Sequence, residues 1–428
     1  MTALGDGSVE EEAPATERFP VGLKLLIGAL FASSMATRSQ LVALGLLVFN
    51  VTGREIDLGF LGLAEFVPLF VLSPLSGAVV DRFDRRTVFT IGLLVEIAAA
   101  TTLFFYARNP EATLGPILAL VVVFGIARSF VAPASRALPI DMAPPGIVER
   151  VVAVRSVTFQ VAGIIGPMIV GVLFSINRSL PFLVPIVGFT AAALLLRLVP
   201  ASGVRRLTSQ PGPAQALRDA VEGLRFMRRS PIVFGAVSLD LFAVLFGGAV
   251  ALLPAIGEKR LGVDEAAVGL LYSGIAFGAM VTAAALSIKP IRRRVGLVLF
   301  AAIGVFGVAT IVLGLTTNYV VAMAALMVLS SADAISVFIR ATIVPLATPE
   351  QMRGRILAVE NIFIGGSNEL GGLESGLTAS WFGLAPAVVI GGIGTLTVVG
   401  LWMWLFPDLR RVDQFEDIRA PAPAAADP

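Results

Sequence analysis

Between residues 21 and 406 the chain is a succession of apolar stretches, most of 20 residues or more, separated by short polar joints. That pattern constrains the fold more than any other feature. A bilayer-spanning helix needs about 20 predominantly apolar residues, and one soluble core cannot absorb so many of them. Twelve stretches can be read, near 21–49, 58–80, 87–107, 114–135, 150–176, 181–199, 231–256, 265–288, 295–315, 318–342, 355–380 and 383–406. Composition agrees: 56% of the 428 residues are hydrophobic and only 14% charged. The expected class is an all-α polytopic membrane protein with twelve transmembrane helices.

The acidic start, MTALGDGSVEEEAPATERFP, lacks the basic opening and apolar core of a signal peptide. The first span is therefore expected to stay in the membrane. Residues 1–20 and 407–428 read as tails, the latter as disordered. The longest internal polar segment, 200–230, contains AQALRDAVEGLRFMRR. Leu217, Val221, Leu224 and Met227 recur there at helical spacing, opposite Arg218, Asp219, Glu222 and Arg225. This predicts an amphipathic helix along the inner membrane surface. The expected division is a first six-helix bundle over 21–199, this linker, and a second over 231–406.

Lys and Arg are retained on the cytoplasmic side of membrane proteins. Most of the 32 fall in alternate joints together with both tails, whereas Arg54, Arg108, Arg178, Lys259 and Arg260 fall in the others. Both termini are therefore expected to be cytoplasmic, in a bacterial inner membrane. The halves also repeat one another. RALPIDMAPPGIVERVVAV from Arg136 resembles RATIVPLATPEQMRGRILAV from Arg340. Arg136 aligns with Arg340, Pro145 with Pro349, Gly166 with Gly371 and Gly171 with Gly376. A repeat with six spans on each side implies parallel halves about an axis normal to the membrane.

The joint after the second span reads GAVVDRFDRR, with Gly77, Asp81, Arg82, Arg85 and Arg86. It resembles the signature loop of the major facilitator superfamily. That resemblance implies the superfamily fold and a conformational latch, in which Asp81 accepts hydrogen bonds from the start of the eleventh span near Gly354 and the arginines grip the other half. Arg136, Arg155, Arg340, Arg353, Arg355 and Glu360 are assigned to the same latch. Arg155 and Glu360 occupy repeat-equivalent positions and suit a salt bridge between halves. Gly163, Gly166, Pro167 and Gly171 in the fifth span partly match an element that marks exporters of the superfamily. Physically they allow close helix packing and a bend. The whole chain is similar to the enterobactin-exporter-like branch. The similarity implies proton-linked efflux of an amphiphilic substrate, a drug or siderophore. An importer, a lysolipid flippase and a non-transporting sensor are the alternatives.

Ionisable residues within spans are functional candidates by default. Arg38, Glu65, Arg128, Asp333, Asn368 and Glu369 are the substrate or proton candidates, since their spans line the cavity in the superfamily. Glu96 is expected to pair with Arg128, and Glu374 to face the outer gate. A carboxyl in a low-dielectric cavity favours its neutral form, so Glu369 or Asp333 is expected to exchange a proton for substrate. Gln160, Phe66, Phe159 and Phe242 are expected wall residues. There is no cysteine and no histidine, which excludes disulfides and the usual metal and catalytic sets. No nucleotide-cradling loop or nucleic-acid-binding surface is recognisable. The expectation is a monomeric transporter, not an enzyme, without cofactor or metal. Its partners are a small molecule, protons and the bilayer.

Overall fold

The computed structural model describes residues 19–144, 146–199 and 213–418; the side chains of 74, 213–217 and 220 lie outside the description. Arg18, Pro145, Arg205, Arg206 and Arg419 therefore fall outside it. Six helices come first: α1 (Val21–Thr52), α2 (Glu55–Arg82), α3 (Arg85–Tyr106), α4 (Leu114–Met142), α5 (Val148–Ile176) and α6 (Leu183–Leu198). The connecting helix α7 (Pro213–Arg229) leads to α8 (Pro231–Phe246), α9 (Glu265–Ile288), α10 (Val295–Leu315), α11 (Tyr319–Leu346), α12 (Glu350–Phe382) and α13 (Leu384–Leu405). After α8 the chain goes on through a 3-10 turn and a π-helical stretch, Ile256–Leu261. Eleven of these segments are long and apolar enough to cross a bilayer. The exceptions are the connecting helix α7 and α12, which carries Glu360, Glu369 and Glu374 within its length.

Local chemistry fixes the ends. Gly53 ends α1 in the left-handed conformation, with φ of 63°, which costs glycine little. Asp84, Asp264 and Asn318 accept backbone N–H groups at the starts of α3, α9 and α11, satisfying donors a helix cannot satisfy internally. Membrane helices associate by close packing rather than by escape from water. Accordingly, α1 packs on α5 and α6, and α4 on α2 and α3. In the second set α10 packs on α11 and α13, and α8 on α12 and α13. The two sets meet chiefly through α5 against α9 and α2 against α12.

Those two seams are tight at the face opposite the termini. A Cβ on Gly171 would meet backbone atoms of Glu265 at 2.5 Å, Gly269 at 2.9 Å and Ala266 at 3.1 Å. A Cβ on Gly59 would meet Leu373 Cα at 2.7 Å, and one on Gly376 would meet the Glu55 carbonyl at 3.0 Å. Lys259 also bridges the sets there. Its Nζ donates to the Gly53 carbonyl and to Glu55, each at 2.8 Å. At the arginine-rich face, by contrast, Gly77 and Gly354 have open space around them, and Arg82 and Arg353 are exposed. The molecule is closed at one face and open at the other.

Two expectations change here. The apolar face of α7 does not simply lie on a membrane surface. Met227 is buried among residues of the second set, Gly223 abuts the Arg355 backbone, and Val221 is exposed. Residues 407–418 are not a disordered tail. Helix α14 (Pro407–Arg411) buries Leu409 completely, and the Gly296 and Val295 amides donate to the carbonyls of Val412 and Asp413. Apolar Leu409, Val412 and Ile418, spaced among charges, were the overlooked signal.

Candidate functional site

The α2–α12 seam descends in register. Gly59 faces Gly372 and Leu373, Gly62 faces Glu369, and Phe66 faces Gly365 and Gly366. Small residues at every step bring the two backbones together. A Cβ on Gly62 would overlap Glu369 Oε2, so the carboxylate of α12 lies directly on α2. Glu65 is one turn further along α2. Its Oε1 is 3.3 Å from Nη1 of Arg128 on α4. The approach depends on Gly125, where a Cβ would meet the Glu65 carbonyl at 2.5 Å. Glu369 therefore shares its electrostatic surroundings with Glu65 and Arg128.

On the other seam, Gly163 of α5 would place a Cβ 3.2 Å from Ala276 of α9. Ser273 of α9 donates to the Ile164 carbonyl at 2.6 Å. One turn towards the open face, Phe159 is 45% exposed. Arg38 of α1 lies over that ring, with its guanidinium carbon 4.3 Å from the centroid. Phe66 stacks on Phe70, centroids 5.6 Å apart, and Phe70 is 46% exposed. Beneath both seams is thus a vestibule of aromatic faces and charges from α1, α2, α4, α5 and α12.

Four of the six substrate or proton candidates, Arg38, Glu65, Arg128 and Glu369, are brought into this region. Asn368 is exposed, and its amide donates to the Ile364 carbonyl of its own helix. Asp333 lies elsewhere. It borders a small cavity inside the second set with Asp240, Phe306 and Ser336. Nor does Arg128 take Glu96 as its partner. Glu96 on α3 is fully buried, and neither carboxylate oxygen has a hydrogen-bond partner. Phe242 lies against Trp402 within the second set, ring centroids 5.2 Å apart and planes tilted by 53°. Glu374 accepts from Thr378 Oγ1 at 2.8 Å on its own helix.

The latch residues sort differently from the expectation. Asp81 does not reach α12. It pairs with Arg85 at 3.1 Å, and Arg85 also binds Asp141, all within the first set. Arg86 donates to the carbonyls of Val199 and Arg197 at the end of α6. Glu360 pairs not with Arg155 but with Arg340 at 3.5 Å, while Arg340 binds Asp240 at 2.9 Å. This buried triad ties α8, α11 and α12 into one body. Arg136 is exposed at the open face. Arg355 binds Asp219 at 3.1 Å and Glu222 at 2.6 Å, pinning α7 to α12, and Arg353 pairs with Glu350. Sequence reasoning missed Asp141, Gly62 and Gly125. It gave Asp240 no role, and only its shared helical depth with Arg340 could have linked the two. Gly166 backs onto Ser39 of α1, and Gly171 forms the α5–α9 contact with Gly269, so the glycine–proline element is a packing surface. Among the described residues no cluster of side chains could hold a metal ion.

A family model described as Major Facilitator Superfamily matches residues 26–371. YfiS of Bacillus subtilis, described as an uncharacterized MFS-type transporter, is 25% identical over 404 residues, covering 89% of this chain and 93% of that protein. The enterobactin exporter EntS of Citrobacter koseri is 28% identical over 371 residues, covering 82% and 83%. Among solved structures, a point mutant of the nucleoside transporter NupG superposes with a TM-score of 0.73 at 14% identity, covering 90% of this chain and all of that one. A bacterial homologue of the iron transporter ferroportin, in an inward-facing state, gives 0.71 at 14%, covering 92% and 100%. At those identities the structural likeness is one of fold.

Proposed function

The chain belongs to the major facilitator superfamily and is a secondary transporter; from that premise we propose that it exports a small amphiphilic molecule, a drug or siderophore, in exchange for protons. It works as a monomer in a bacterial inner membrane, with both termini in the cytoplasm. The observation that carries the reading is the position of Glu369. It comes from the second set of helices, lies against Gly62 of the first, and is one turn from the Glu65–Arg128 pair. That seam must part when access alternates, so the charge on Glu369 bears on both states.

A proton on Glu369 removes one of the two negative charges facing Arg128. Loss of the proton restores competition between Glu65 and Glu369 for one guanidinium. Substrate entering from the open, arginine-rich face meets this cluster and the aromatic walls below the seams. Proton and substrate then favour different arrangements of the same residues, which is the requirement for exchange. The similarity to an enterobactin exporter supports the outward direction.

The test is transport in inverted membrane vesicles under an imposed proton gradient, with cationic dyes, a catecholate siderophore and lysolipids as a panel. Gradient-driven uptake by the wild type that is lost in Glu369→Gln is the expected result. Equal gradient-driven uptake in the variant would sink the assignment of Glu369. Uptake that needs no gradient would replace exchange by facilitated passage.

A further inference from the structure

Half-buried Arg38 differs from the arginines that anchor ion pairs. Arg85, Arg128 and Arg340 each have at least one carboxylate partner. Arg38 has none; among the described residues its one close interaction is with the face of Phe159. Nor is it sealed in. Nη1 of Arg128 and Nε of Arg340 are buried without hydrogen-bond partners, whereas no nitrogen of Arg38 is. Its donors open onto the vestibule just past the midpoint of α1.

An arginine at membrane depth with no acceptor is costly. The guanidinium carries five N–H donors in a planar fork that matches a carboxylate or phosphate. Stacking on Phe159 fixes the plane of that fork and leaves its edges free. Phe159 supplies exposed aromatic surface beside it. The arrangement has an anion-binding edge and an apolar wall a few ångströms apart.

Resting on the transport reading above, we propose that Arg38 recognises an anionic group on the substrate, and that the transported molecule is an aromatic organic acid rather than a cation. Phe159 orients Arg38 and packs against the aromatic body. Glu65 and Glu369, across the vestibule, repel the anion and keep it on the α1–α5 side.

Binding by three naphthalene ligands tests this: 2-naphthoate, 2-naphthylmethanol and (2-naphthylmethyl)trimethylammonium. The full chain would be held in phosphatidylcholine nanodiscs, and affinity read by calorimetry without any gradient. The wild type is expected to prefer the carboxylate. Arg38→Gln should lower carboxylate affinity about 10- to 100-fold and leave the alcohol unchanged, which also reports an intact site. Arg38→Lys should keep part of the preference, because a point charge lacks the planar fork. Phe159→Leu should weaken all three ligands. Preference for the cation, an equal loss of all three in Arg38→Gln, or no binding of any ligand by the wild type would overturn the proposal. Failure of proton coupling in vesicles would leave this result standing, and the reverse holds too.

Discussion

The closed seam makes a sharp prediction at Gly171. Replacing it with alanine puts a Cβ 2.5 Å from the Glu265 carbonyl oxygen and 2.9 Å from the Gly269 Cα. Both are backbone atoms, so no rotamer change relieves the clash. Optimal separation exceeds these distances by roughly 1 Å, and α5 and α9 must part to restore it. Overpacking of this kind costs about 1–3 kcal/mol. Because the clash exists only while this face is closed, the cost falls on the closed state alone. The equilibrium should move towards opening there by about 5- to 150-fold. The absence of cysteine gives a clean background for the assay. A single cysteine in place of Ala276, just beneath the seam, would be labelled with an impermeant thiol reagent from the closed face. Faster labelling in Gly171→Ala by that factor is the expected result. Gly77→Ala, which meets open space in this state, should not speed it. Unchanged labelling in Gly171→Ala would refute the claim that glycine-to-backbone contact holds this face shut.

Two further predictions concern how the second set of helices holds together. Arg340→Met leaves Asp240 and Glu360 facing each other without their cation, at an expected cost of about 3–5 kcal/mol. Thermal unfolding in detergent should show it, with most of the loss recovered when Asp240 and Glu360 are also made apolar. Leu409→Ala should cost about 2–5 kcal/mol despite its distance from every transmembrane seam, because Leu409 is fully buried. A melting curve like the wild type's would mean that the segment after α13 packs only loosely.

The twelve-helix plan was legible because it follows from hydropathy and the spacing of breaks. Even Glu350–Phe382, the most polar of the twelve, was legible as an apolar stretch near 355–380. The loop motif was legible as residues but not as contacts. Asp81 was expected to reach across to α12 and instead binds Arg85, because in this state the arginine-rich face is open and the partner helix is out of range. Arg155 and Glu360 were matched as repeat equivalents, yet Glu360 finds a nearer cation in Arg340. Symmetry in sequence does not say which of two arginines on different helices comes closer. The disordered reading of 407–418 failed because a few apolar residues among charges carry little pattern until a groove accepts them.

What sequence alone determined was what a bilayer imposes locally: the number and length of spans, the side on which most arginines collect, and the set of charges placed where water is scarce. Each depends on the residue and its near neighbours. Tertiary structure decided which charges meet. Glu369 lies on Gly62 because glycines at 59 and 62 let α2 and α12 touch, and Glu65 reaches Arg128 because Gly125 lets α4 approach α2. Those distances depend on backbone separation between segments far apart in the chain, which no local pattern encodes. The solitary state of Arg38 is likewise a property of the assembled vestibule.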